Sequence, residues 1–139
     1  MAFTKKIALH DEIKIDGTDF SNDFRTFGLS SEDSDVDVSG FSATGNDETL
    51  SGTRAQGFEG EAFYTEEAAA ILWALHNNRT IFQVQWTPGG LLVTSGNKTY
   101  YGMCQLRSFN PNDTRGDVQV MTCTFKTANA AGITQGTGT

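Results

Sequence analysis

The chain has 139 residues, 37% of them hydrophobic, with ten Lys or Arg against seventeen Asp or Glu and a formal net charge of −7. That length holds one domain with its own core, and two would be cramped. Scattered cations in an acidic chain exclude a protein that coats nucleic acid, which needs clustered Lys and Arg, and no apolar run approaches the roughly 18–20 residues of a membrane helix.

The N-terminus, MAFTKKIALHDEIKI, has two lysines but no apolar stretch behind them, so no export signal is expected. The first candidate strand is KKIALHDEIKIDGTDF (5–20), and the second is DVDVSGFS (35–42). Asp33, Asp35 and Asp37 alternate through the start of the second, and residues two apart in a strand share a face. A calcium-binding EF-hand loop starting at Asp33 needs Gly and Glu where Val38 and Thr44 stand. The row is then a solvated face, a functional acidic surface, or a calcium site of another kind. ATGNDETLSG (43–52) reads as a polar loop, and GTRAQGFEGEAFYT (52–65) as a third strand.

One helix is expected over about 65–78. Thr65 is the N-cap, Glu66 and Glu67 meet the positive end of the helix dipole, and Asn77 and Asn78 end it. Ala68, Ile71, Leu72 and Leu75 follow one face, and Ala69 and Trp73 broaden it. So wide an apolar surface calls for more cover than one sheet face, and a neighbouring subunit can supply it.

RTIFQVQWT (79–87) alternates Ile81, Gln83 and Gln85 against Phe82, Val84 and Trp86, and TPGG (87–90) is a turn. NKTYYGMCQLRSF and DVQVMTCTFKT are long β-rich segments joined through the turn-rich NPNDTRG, which predicts a hairpin. The tail NAAGITQGTGT is flexible or docks on a partner. The fold class is therefore mainly β: an antiparallel sandwich or barrel over residues 1–127 with one flanking helix, followed by a tail over 128–139.

Catalytic patterns are missing: no G-x-S-x-G, phosphate-binding loop or H-E-x-x-H occurs, and His10 and His76 lie far apart. Cys104 and Cys123 read as small core residues and, with the two histidines, make no zinc spacing. The three N-x-T sequons at Asn78, Asn97 and Asn112 read as accidental without a secretory signal.

Three pieces in order carry a resemblance: ETLSGTRAQGFEGEAFYT (48–65) running into the short Ala/Leu helix, TIFQVQWTPGG (80–90), and YYGMCQLRSFNPNDTRGDVQVMTCTFKT (100–127). Their order and spacing resemble the short major tail proteins, or tail tube proteins, of long non-contractile-tailed bacteriophages, over roughly residues 40 to 127. The resemblance implies a β-sandwich with a flanking helix, related to the tube protein of type VI secretion. It implies hexameric rings stacked into a tube, with DNA passing through without specific binding. It also implies a place in the virion tail after assembly in the host bacterial cytoplasm, with other tail proteins as partners, no membrane binding, no cofactor and no catalysis.

On that reading the acidic row Asp33, Asp35 and Asp37 faces the lumen, where carboxylates repel phosphate. The helix residues Ile71, Leu72, Trp73 and Leu75 meet a neighbouring subunit, and the loop holding Asn46, Asp47 and Glu48 stacks rings. The chain is short for this family and has no added surface domain. That leaves open a tail terminator, a head-tail joining protein or a capsid decoration protein. A carbohydrate-binding β-sandwich, stacking sugars on Trp73, Trp86, Tyr100 and Tyr101, is the alternative of a different class.

Overall fold

In a computed structural model of the chain, residues 11–37, 49–88, 98–129 and 131–137 are described. Strands β1 (Glu12–Ile15) and β2 (Thr18–Asp19) form a small hairpin where the sequence suggested one strand. The fold-back is at Asp16-Gly17, whose φ angles of 52° and 79° are the left-handed pair that a tight two-residue hairpin turn requires.

Strand β3 (Phe24–Asp37) begins well before the expected start at Asp35. Gly28, Ser30 and Ser31 dilute its local strand signal. Its pairing with β4 (Thr49–Phe63) sets it instead, from Phe24 opposite Ala62 to Asp37 opposite Thr49. That pairing takes Thr49–Gly52 out of the expected loop. Residues 38–48, with Asn46, Asp47 and Glu48, lie outside the described residues.

Helix α1 (Glu66–Asn77) starts where Thr65 accepts the Ala68 N–H at 3.2 Å. It buries Ala68, Ala69, Leu72 and Leu75, while Ile71 is 39% and Trp73 54% exposed. The remaining strands are β5 (Ile81–Thr87), β6 (Lys98–Asn112), β7 (Val120–Thr127) and β8 (Thr134–Thr137). All pairings are antiparallel, in the order β2-β1-β5-β6-β7-β4-β3, with β8 also on β6. The fold is thus mainly antiparallel β with one helix, as expected.

On a flat sheet β3 and β5 would lie four strand spacings apart, roughly 19 Å. Yet the Phe27 ring centroid is 5.8 Å from that of Trp86 and 6.5 Å from that of Phe125. The sheet therefore curls over its own inner face. Helix α1 packs along β6, with Trp73 6.2 Å from Phe109 and His76 Nδ1 2.9 Å from the Leu106 carbonyl. Phe20, Phe58, Phe82, Phe125, Leu72 and Met121 fill the space between.

Cys104 stands opposite Thr127 and Cys123 opposite Phe109, so the two thiols sit at different levels of the hairpin, free and buried. Burial pushes their pKa values up to about 11 and about 12.

The C-terminal segment departs from the expected flexible or partner-docked tail: β8 pairs with Lys98–Tyr101 of β6 in the same chain. It lies on the β7 side of β6, since β5 occupies the other. β7 and β8 are therefore one interrupted strand, with the excursion between them crossing Gly102. A Cβ on Gly102 would come within 2.8 Å of the Gly132 carbonyl, so glycine is needed for the close approach.

Candidate assembly surfaces

β7 pairs only with Gly57–Phe63 of β4. The rest, Ser31–Asp37 against Thr49–Gln56, is a two-stranded ribbon with no third strand among the described residues, roughly 20 Å long at about 3.4 Å per residue. Its face is a continuation of the core face. Phe27 and Leu29 pack on the core, and Ser31, Asp33 and Asp35 follow on the same side as the strand leaves it.

Asp33 accepts from Arg54 Nε at 2.7 Å and more weakly from Nη2 at 3.4 Å. This hydrogen bonding holds the Asp33 carboxyl below its usual range. Asp35, opposite Ser51, forms no ion pair among the described residues. A register shift between Asp33 and Asp35 marks a bulge at Gly52–Thr53 of β4. Near the far end Val36 and Leu50 face each other, 47% and 63% exposed.

A second surface lies where α1 ends on β6. Trp73, His76, Arg79, Gln105 and Arg107 line a cleft. Gln105 Nε2 donates to the Arg79 carbonyl at 3.0 Å, and Arg79 turns the chain into β5 with a φ of 52°. Arg25 and Arg54 each pair with a carboxylate. Arg79 and Arg107 have none among the described residues.

The third surface is the outer face of the curled sheet, which no described element covers. Gln83, Gln105, Thr122, Thr124, Glu59 and Glu61 cross it from β5 to β4 together with Ile81, Met103 and Lys126, all exposed or half-buried.

The expected helix surface divides. Leu72 and Leu75 are consumed by the chain's own core, and only Ile71 and Trp73 stand outside. The four aromatic residues of the sugar-binding reading do not form one platform. Trp86 and Tyr100 pack on the core 5.7 Å apart, with Trp86 Nε1 donating to Asp11 at 3.3 Å. Sequence reasoning passed over Arg54, Arg79 and Arg107, whose positions along the chain give no sign of their placement.

No protein-family model and no curated protein matches the sequence. Solved structures match its fold over nearly its whole length. A chain of the virion of a native gene transfer agent particle superposes with a TM-score of 0.76 at 14% identity, covering 95% of this chain and 99% of that one. The sheath/tube terminator structure of the extracellular contractile injection system PVC gives 0.74 at 10%, covering 98% and 99%. The SPP1 tail tube gives 0.70 at 10%, covering 94% and 78%. The chain has the fold of these tail and injection-system components.

Proposed function

We propose that the protein is a structural, non-catalytic virion subunit that self-assembles into stacked hexameric rings, forming a tail tube that conducts DNA. The observation that carries this is the fold likeness to tube and terminator chains across almost the entire polypeptide. It leaves little of the chain for any added module.

The three surfaces support the reading. A tube wall needs a broad face that does not trap phosphate, and the outer sheet face offers mainly amide, hydroxyl and carboxylate groups, with Ile81, Met103 and Lys126 among them. Subunit contacts need protruding and receiving parts, which the ribbon and the cleft beside α1 supply. We assign the outer sheet face to the lumen. The row Asp33, Asp35 and Asp37 lies off that face, on the ribbon, and we place it at contacts between subunits.

The second reading is a tube terminator, favoured by the match to the contractile injection system chain. Both are tested by negative-stain electron microscopy of the purified protein over a concentration series. Stacked hollow tubes support the tube subunit. Single rings that never stack support the terminator, and monomers at every concentration count against both.

A further inference from the structure

We propose that Asp35 on the ribbon of one copy docks into the Trp73–Arg79–Arg107 cleft of the next copy, making the contact that propagates the assembly. This rests on the self-assembling reading above.

The charge inventory points to the pairing. The chain is acidic and has only ten Lys or Arg. Arg25 is matched to Glu61 and Arg54 to Asp33 within the chain. Arg79 and Arg107, like Lys98, Arg115 and Lys126, form no ion pair among the described residues, but these two line one cleft with the His76 ring and the half-exposed Trp73 indole. On the ribbon, the Asp33–Arg54 pair is closed, and Asp35, the next carboxylate on that face, is open. Guanidinium forks suit carboxylates, and a Trp beside two Arg is the composition of an interface anchor.

Within one chain the two parts cannot meet. Gln105, at the cleft, is level with Gly57 through Lys126, whereas Asp35 is level with Ser51. That separation is six residues along β4, roughly 20 Å. A carboxylate arm and a basic cleft displaced along the strand direction make a head-to-tail contact, the kind that closes rings or extends filaments. The Asp33–Arg54 pair holds the ribbon's two strands together so that Asp35 is presented on a braced arm.

The test is charge reversal on the full chain, read by sedimentation velocity and electron microscopy. Asp35→Arg and Arg107→Asp are each expected to raise the concentration needed for assembly about tenfold or more, and the double variant to recover most of it. Both positions are exposed, so circular dichroism and the melting temperature should match the parent. Single variants that assemble like the parent overturn the contact and leave the tube reading standing. Single variants that block assembly without rescue in the double variant overturn the pairing of these two surfaces. A parent protein that never assembles removes the reading beneath it.

Discussion

The backbone N–H of Ile133 donates to Oε1 of Gln56 at 2.9 Å across 77 residues of sequence. The Nε2 of the same amide donates to Ser31 at 3.0 Å. One side chain thus joins the base of the ribbon to the excursion that carries the C-terminal strand onto β6. Gln56→Ala should cost about 1 kcal/mol of global stability, the usual value of a hydrogen bond lost at a partly buried site. Hydrogen exchange at residues 131–137 should rise by more than that global change accounts for, because the local tether is gone. Equal loss of protection throughout the sheet would show that Gln56 does not hold this segment in particular.

Leu72 and Trp73 are neighbours with opposite duties. Leu72 is fully buried and Trp73 is 54% exposed. Leu72→Ala should cost about 2–5 kcal/mol by denaturant unfolding, as a core cavity does. Trp73→Ala should cost about 1 kcal/mol or less, chiefly the Phe109 contact. The same Trp73 variant should weaken assembly strongly. Normal assembly by that variant would remove the cleft from the interface.

Asp33 owes its lowered pKa first to the Arg54 hydrogen bond. In the unfolded chain its pKa returns to the ordinary carboxylate value. The ion pair therefore contributes above that value, and its contribution fades as pH falls through the lower folded one. Carboxyl NMR titration should show Asp33 titrating below the ordinary carboxylate range in the monomer, and Arg54→Gln should raise it toward that range. The pair is solvent-exposed, so the melting temperature near pH 7 should hardly change.

Cys104 and Cys123 have thiols raised to about 11 and about 12 by burial. Well below pH 9 both thiols are mostly protonated in the folded and unfolded states alike, so they add no pH dependence there. As pH rises through the ordinary thiol value of 9.0, the unfolded chain releases protons first, and stability is lost progressively toward the folded values. A thiol-specific reagent at pH 8 should label neither residue in the folded protein and both in denaturant. Rapid labelling of the native protein would show that the β6–β7 core opens readily.

Much of the fold could be read along the chain because its signals are local. Alternation in β5 and the capped helix at Thr65 depend on residues only a few positions apart. The Asp16-Gly17 turn was equally local, yet one alternating run across it read as a single strand. The early part of β3 could not be read, because Gly28, Ser30 and Ser31 carry little strand preference and pair only because β4 lies beside them.

The sequence by itself determined an acidic protein, mainly antiparallel β with one helix, with three aspartates at alternate positions of a strand. These follow from composition and short-range periodicity. Only the tertiary structure decided that the aspartate face is the core face carried out onto a free ribbon, and that Arg54 neutralises Asp33. It also brought Arg79 and Arg107 to one cleft and laid the C-terminal strand on β6. Each of these depends on register between segments distant in sequence, and register is fixed by which side chains the closed core can bury together.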